Sequence, residues 1–393
     1  MDRRYLIVIG ACMTQFTVIG LLFAYALFFK AFEDEFGWSR TLLSAGTSAA
    51  FLVMGVLAIL GGRLNDRYGP KIVLGSAGVI CGAGFALISQ ISQPWHLFIL
   101  FGLFVGIGMS THDVVTLSTI ARWFEKRRGI MTGVVKTGTA IGQVAMPLIA
   151  AFLIASQGWR GAVVIMGLSA IVLLVLAAGL MKLPPEPKAT TTAPQAGLSF
   201  QEARHTRAFW SLCLMQFLFF PTLMTVPLHI VVHGTDLGMT AENAAVLLSI
   251  VGASSIAGRL TVGTFTDRIG GRWSYVMCFV PLLISLFGLI VADQHWALYG
   301  IMAIYGFGHG GLFTVVSPTV AEFFGLRAHG AIFGPILFFG TIGGSIGPII
   351  AGWIFDASGS YLWAFTGLAV MVGAAIVLAL SLPQSQTMAA PAE

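Results

Sequence analysis

The chain has 393 residues, of which 57% are hydrophobic and 9% charged, and a mean hydropathy of +0.89. A soluble globular protein carries about 25% charged residues, so this composition excludes a soluble fold and makes lipid the solvent. The net charge of +5 is read as a report of orientation in a bilayer, and no nucleic-acid partner is expected from it.

Hydropathy and helix breakers predict an all-α membrane protein with twelve transmembrane helices, at 5–29, 41–61, 72–92, 95–121, 129–156, 161–181, 207–232, 243–263, 273–292, 296–321, 329–354 and 360–382, each near the ~20 residues a bilayer requires. Asp2, Arg3 and Arg4 precede an apolar run too long for a signal h-region and without an A-x-A site, so no cleavable signal peptide is read. Cys12, Cys81, Cys213 and Cys278 fall inside spans without disulfide or metal spacing, and no cofactor or metal is expected. With the N-terminus inside, the cytoplasmic segments hold Arg3, Arg4, Arg63, Arg67, Lys71, Arg122, Lys126, Arg127, Arg128, Lys182, Lys188, Arg204, Arg207, Arg268, Arg272 and Arg327, which is 16 of the 21 basic residues. The other side has Lys30, Arg40 and Arg160. By the positive-inside rule both termini are cytoplasmic, in a plasma or bacterial inner membrane. The longest polar stretch, LPPEPKATTTAPQAGLSFQEARH, cannot span and reads as a cytoplasmic linker. The expected organisation is an N-terminal six-helix bundle at 1–182, a linker at 183–206, and a C-terminal six-helix bundle at 207–393 with a short cytoplasmic tail.

The halves echo each other. GRLNDRYGPK at 62–71 follows span two and GTFTDRIGGR at 263–272 follows span eight. Gly62, Asp66, Arg67, Gly69 and Lys71 recur as Gly263, Asp267, Arg268, Gly270 and Arg272, an offset of 201 residues (267 minus 66). Parallel repeats joined by a cytoplasmic loop are one architecture of secondary transporters. Glycine permits a tight turn, and Asp66 can cap a helix N-terminus or pair with a basic neighbour. With Arg63 and its repeat, this stretch is a candidate gating loop, whose bonds must break when the cytoplasmic side opens.

These residues resemble the major facilitator superfamily, whose signature loop GRLNDRYGPK matches, and the resemblance covers essentially the whole chain. It implies two six-helix bundles around a central cavity, alternating between inward-open and outward-open states. FGWSR at 36–40, RWFEKRRGIMTG at 122–133, GWRGA at 158–162 and AAVLLSI followed by Arg259 resemble the monocarboxylate porter group and the related oxalate/formate exchangers. In that group the span-eight arginine binds the substrate carboxylate, and Arg259 occupies that place. The resemblance implies a small organic anion as substrate and proton-coupled transport of lactate- or pyruvate-like anions. A monomer is expected. Three features depart from it. Animal members carry a lysine in span one, where Phe23 stands here. Some bacterial members use a span-four tyrosine, where His112 and Asp113 stand. The oxalate exchangers use a span-eleven lysine, where only His329 is ionisable, at the edge.

Fully charged side chains well inside predicted spans are Asp113, Lys136 and Arg259. They lie nine, eight and eight residues from Arg122, Arg128 and Asp267, so at 1.5 Å per residue each sits about 12–14 Å above the cytoplasmic loops. A buried arginine costs roughly 2.5 kcal/mol or more to insert. Such a residue either faces a water-filled cavity or snorkels to the nearer interface. Three charges at one level favour a cavity site with Arg259 and Lys136 holding the anion. Ser255 is four residues before Arg259 on the same face, and Tyr305, His309 and Phe313 stack at i, i+4. Desolvation favours a neutral carboxylic acid, an adjacent ammonium favours the carboxylate, and an arriving anion tips the balance back towards the proton. Asp113, beside His112, is therefore the candidate proton site; the alternative is a permanent Asp113–Lys136 bridge. His309 is either a second titrating group or a neutral hydrogen-bonded histidine. His229 and His233 have metal-pair spacing but no third ligand.

No catalytic nucleophile, metal cluster or P-loop is present in the sequence, so an enzyme is not expected. The expected function is secondary active transport of a small monocarboxylate-type anion, with a proton as co-transported partner. The alternatives are an anion exchanger of the oxalate/formate kind or a carrier of another small solute.

Overall fold

The structure is a computed structural model that describes residues 3–38, 40–184, 197–292 and 294–383. Residues 185–196 of the expected linker and the expected tail from 384 lie outside the described residues. Among the described residues every regular element is helical, apart from one isolated antiparallel bridge between Gly197 and Gly325.

The helices are α1 (Arg3–Tyr25), α2 (Phe29–Phe36), α3 (Arg40–Tyr68), α4 (Pro70–Leu87), the short α5 (Pro94–Leu97), a π-helical segment (Phe98–Val105) leading into α6 (Gly106–Trp123), α7 (Arg128–Leu180), the short α8 (Phe200–Ala203), α9 (Arg207–Asp236), α10 (Ala241–Val291), α11 (His295–Phe324), α12 (His329–Ser358) and α13 (Leu362–Ser381). Among the described residues, ten helices are long and apolar enough to cross a membrane. Two of them do not match the single spans expected from hydropathy. α7 runs for 53 residues and α10 for 51. As straight rods they would measure about 80 Å, against ~30 Å of hydrocarbon. Each contains one residue with non-helical backbone, Gly158 (φ 69°, ψ 167°) and Gly270 (φ 76°, ψ 170°). Both occupy the positive-φ region that only glycine enters without strain.

The second expected loop is therefore almost entirely helical. Gly62, Arg63, Asp66 and Arg67 lie on the last turns of α3, Gly69 (φ 79°) alone is non-helical, and Lys71 is in the first turn of α4 behind Pro70. Asp267 and Arg268 ride on α10 just before its break at Gly270.

The chain divides into two compact units. Unit 1 comprises Met1–Glu125, Val134–Gln195 and Ala328–Pro335; unit 2 comprises Lys126–Gly133, Ala196–Arg327 and Ile336–Glu393. Two short segments, Lys126–Gly133 at the start of α7 and Ala328–Pro335 at the start of α12, fall in a different unit from the rest of their helices.

In unit 1 an aromatic core gathers Phe28, Phe32, Phe85 and Phe101, all fully buried. The π-helical segment carries Phe101, whose ring stacks on Tyr25 at 3.7 Å between centroids. The 36–40 and 158–162 motifs meet in this unit. Phe36 stacks on Trp38 at 4.5 Å, Arg160 grips Glu35 with both ends of its guanidinium at 2.6 and 2.7 Å, and Trp159 Nε1 donates to Glu35 Oε2 at 2.7 Å. The hydrogen bond from Arg160, with that from Trp159, holds the Glu35 carboxyl below its ordinary range. A depressed carboxyl contributes stability above its unfolded pKa and loses it as pH falls through the folded value, so this clasp is intact at neutral pH.

In unit 2, α10 and α11 pack backbone to backbone. A Cβ on Gly310 would sit 2.0 Å from the Ser255 carbonyl oxygen, whereas one on Gly300 would meet nothing within 4 Å. Gly310→Ala is thus expected to push α11 from α10 and lower the unfolding temperature in detergent by several degrees. Gly300→Ala, in an open helix interior where alanine is the better helix former, is expected to match or exceed the wild type in the same thermal-unfolding measurement.

Candidate functional site

Within unit 1, Lys136 on α7 is 3% exposed and His112 on α6 is 6% exposed. Lys136 Nζ lies 2.5 Å from Asp113 Oδ1. His112 Nε2 lies 3.4 Å from the same oxygen. A second donor comes from α1: Gln15 Nε2 reaches Asp113 Oδ1 at 2.8 Å. Lys136 and Gln15 therefore both donate to Oδ1, with His112 Nε2 beside it.

Gln15 had drawn no attention in the sequence because an amide carries no charge. It is fully buried and spans three helices. Its Nε2 also donates to the His112 carbonyl at 3.1 Å and approaches Thr116 Oγ1 at 3.1 Å, while its Oε1 accepts from Thr139 Oγ1 at 2.9 Å. Thr116 closes the network by donating to the His112 carbonyl, and His112 Nδ1 contacts the Met109 carbonyl. The one legible signal is that Gln15 is the only amide in the first span, amid GACMTQFTV.

Within unit 2, Arg259 on α10 is 1% exposed, and its guanidinium carbon lies 5.4 Å from the Phe313 ring centre. A ring face attracts a cation by about 0.5–2 kcal/mol, below what a buried carboxylate supplies. Phe313 continues the expected stack on α11: His309 meets it edge-on at 5.2 Å, and Tyr305 lies 5.6 Å from His309. Ser255 Oγ is 3.4 Å from His309 Nδ1.

Two of these side chains bond carbonyls of α9, which contains Pro221 and Pro227, and a proline removes the N–H that would bond the carbonyl four residues back. Pro227 thereby leaves the Leu223 carbonyl without its helical donor, and His309 hydrogen-bonds it. Tyr305 Oη donates to the neighbouring Thr222 carbonyl at 2.9 Å. With Nδ1 facing Ser255 and the ring bonded to Leu223, His309 has the pattern of a neutral hydrogen-bonded histidine.

The repeated aspartates act on helix starts. In unit 1, Asp66 binds Arg122 at 2.5 Å and accepts the Ala331 amide at 3.1 Å, in the first turn of α12. In unit 2, Asp267 accepts the amides of Gly129 at 2.7 Å and Ile130 at 3.0 Å, in the first turn of α7. Ile130 and Ala331 differ by 201, the offset of the aspartates themselves. A carboxylate at a helix N-terminus satisfies orphan amides and meets the positive end of the dipole, worth about 0.3–2 kcal/mol. Of the remaining gating candidates, Arg67 lies over Tyr68 at 5.2 Å and Gly62 packs on the Gly330 backbone.

His229 is engaged by Tyr361 Oη at 3.0 Å and the Pro348 carbonyl at 3.3 Å, and His233 packs edge-on against Tyr361 and Phe365. Among the described residues no group of three His, Cys, Asp or Glu could hold a metal.

A family model described as Major Facilitator Superfamily matches residues 7–263 and 232–392. The chain belongs to the major facilitator superfamily. Its relatives within that superfamily include rat monocarboxylate transporter 13, 26% identical over 96% of this chain and 88% of that protein. Human monocarboxylate transporter 7 is 24% identical over 93% and 83%. The Escherichia coli MFS-type transporter YhjX is 25% identical over 82% and 81%. Among solved structures, a variant of the E. coli fucose:proton symporter FucP superposes with a TM-score of 0.76 at 17% identity, covering 97% of this chain and 98% of that one. The proton:xylose symporter XylE superposes at 0.77 with 14% identity, covering 98% and 97%. At these identities the two structures establish the fold. The protein is a multi-pass membrane transporter of the superfamily, and it resembles the monocarboxylate porter group.

The Lys136–Asp113 contact makes a stability prediction for this superfamily member. Lys136→Met leaves a buried carboxylate with its cation gone, which costs about 3–5 kcal/mol in a buried pair. Thermal unfolding in detergent is expected to show a large loss for Lys136→Met and recovery of most of it in the double variant Asp113→Asn/Lys136→Met. Equal stability of the single and double variants would show that the pair does not hold α6 to α7.

Proposed function

We propose that this transporter moves a small monocarboxylate-type anion by alternating access across twelve spans, with a proton carried in the same direction and both chain termini in the cytoplasm. The observation that carries the reading is Arg259, a guanidinium 1% exposed in an apolar helix and laid on an aromatic ring. A planar, permanently charged fork is the side chain best matched to a carboxylate. The relatives named as monocarboxylate transporters point to the same substrate class.

The twelve-span count is supported by the breaks at Gly158 and Gly270, which let α7 and α10 each supply two crossings. The 16 to 3 distribution of basic residues supports the orientation.

We assign the proton to Asp113. Its Oδ1 accepts from Lys136 and Gln15, so its charge state is coupled to that of the Lys136 ammonium. Protonation would cancel the match to Lys136 and add one positive charge to the unit, so an anion is held more strongly when the proton is aboard. Asp66 and Asp267 are assigned to the cytoplasmic gate, because each holds the first turn of a helix that must move when that side opens.

The second reading is anion exchange. The close match of Lys136 to Asp113 favours it, since a permanent pair leaves no proton to carry.

Reconstitution in proteoliposomes separates these readings. Arg259→Ala is expected to abolish uptake of radiolabelled lactate or pyruvate while the protein stays folded; near-native uptake would return Arg259 to a snorkelling role. Asp113→Asn is expected to retain counterflow but to lose the stimulation of uptake by an inward proton gradient. Unchanged stimulation would remove Asp113 from the coupling step, and wild-type counterflow without any response to the gradient would establish exchange.

A further inference from the structure

A cavity of about 350 Å³ lies among three helix ends of unit 2. Its walls include Arg207, Ala208 and Ser211 from the first turns of α9, Phe323 and Phe324 from the end of α11, and Leu382 just past α13. Ligand sites occupy roughly 300–1,000 Å³, so there is room for a small group. Phe323, Phe324 and Leu382 are buried and make the inner wall apolar. None of the residues lining the cavity is acidic.

Ser211 is only 7% exposed. A serine in a helix commonly turns its hydroxyl back to the carbonyl three or four residues earlier. Ser274 does so to Gly270 at 2.8 Å and Ser285 to Leu282 at 2.7 Å. Ser211 makes no such bond, and among the described residues its hydroxyl has no partner while it lines the cavity. The start of α9 offers further donors. The Thr206 hydroxyl accepts the Phe209 amide at 3.2 Å. The amides of Arg207 and Ala208 come before it, where a helix has no carbonyl of its own to offer. The positive end of a 30-residue helix and the exposed Arg207 guanidinium therefore meet at one wall, an arrangement suited to an anion.

Two exposed tryptophans give the depth of this wall. Trp210, beside Ser211 in sequence, donates Nε1 to the Arg204 carbonyl at 2.8 Å. Trp273 lies 5.5 Å from the Arg272 guanidinium carbon, and Arg272 Nη1 donates to the Leu382 carbonyl at 3.0 Å. Exposed tryptophans gather at the membrane–water interface, which puts the cavity at headgroup level. An anion that arrives there with an apolar tail matches both walls; free phosphate matches only one. We propose that this cavity binds the phosphate diester of an anionic phospholipid. Arg207 and the first amides of α9 hold the phosphate, the Ser211 hydroxyl donates to one of its oxygens, and the start of the acyl chains lies on Phe323, Phe324 and Leu382. Anionic lipid is enriched in the cytoplasmic leaflet, where the orientation proposed above puts these helix ends.

The test uses the full chain in detergent micelles, titrated with phosphatidylglycerol, phosphatidylcholine or inorganic phosphate, with the unfolding temperature and the number of bound lipids by native mass spectrometry as readouts. Phosphatidylglycerol is expected to bind saturably and to raise the wild-type unfolding temperature at lower concentration than phosphatidylcholine. The double variant Arg207→Gln/Ser211→Ala is expected to unfold at the wild-type temperature without lipid, since Arg207 is exposed and Ser211 makes no bond within the fold. Its affinity for phosphatidylglycerol is expected to fall by about tenfold or more, the loss of one hydrogen bond between charged groups. Arg327→Gln removes the same charge from an exposed residue that does not line the cavity, and is expected to bind lipid as the wild type does. Equal responses to the two lipids overturn the proposal, and so does a double variant that binds phosphatidylglycerol as tightly as the wild type. An equal loss in Arg327→Gln overturns it in favour of general attraction to the basic face. A wild type stabilised as well by inorganic phosphate overturns the lipid and leaves a soluble phosphate in its place.

Discussion

A charge removed from water must be matched, and the two units of this transporter match theirs by different means. In unit 1 the Lys136 ammonium meets the Asp113 carboxylate at 2.5 Å, and Gln15 and His112 complete the shell around one oxygen. In unit 2 the Arg259 guanidinium lies over Phe313. An opposite charge neutralises, and a ring face adds its own attraction. The first arrangement is the proton site proposed for Asp113, and the second the anion contact proposed for Arg259. Both sit about 12–14 Å along their helices from the nearest charged loop residues, where water is scarce and each unmatched charge is costly.

The same economy governs backbone groups. Pro227 in α9 releases the Leu223 carbonyl, and α11 answers with His309, while Tyr305 bonds the Thr222 carbonyl beside it. His309 thus serves as a donor to a freed carbonyl and a neighbour of Ser255. The first turns of α7 and α12 expose amides, and the repeated aspartates answer those. Symmetry is kept in the geometry but not in the charges: Asp66 has Arg122 at 2.5 Å, and the position 201 residues further on is Phe323. Asp66 is accordingly held by a guanidinium and the amides of Gly330 and Ala331, Asp267 by the amides of Gly129 and Ile130.

How much of this was legible before the fold depended on what each residue advertises. Asp113, Lys136 and Arg259 stood out because a charge in an apolar run is rare. The repeat stood out because Gly, Asp-Arg and Gly recur at a fixed offset. The motifs at 36–40 and 158–162 were legible as patterns, but their meeting through Glu35, Trp159 and Arg160 was not. Glu35 lies outside both motifs. Gln15 went unremarked because hydropathy hardly separates an amide from its neighbours. Its distinction lies in its surroundings, which bond both ends of the amide.

The sequence by itself determined that this chain lives in lipid, that it is helical, that it is a repeated structure, and which residues carry costly charges. Those properties are local sums of transfer free energy and spacing, which need no knowledge of neighbours. The tertiary structure decided which donor meets which acceptor: Gln15 on Asp113, Ala331 on Asp66, Ile130 on Asp267, and His309 on Leu223. Two of these partners are backbone amides and one is a backbone carbonyl. Such groups are the same in every residue, so no residue type announces them, and only packing brings them within hydrogen-bond reach.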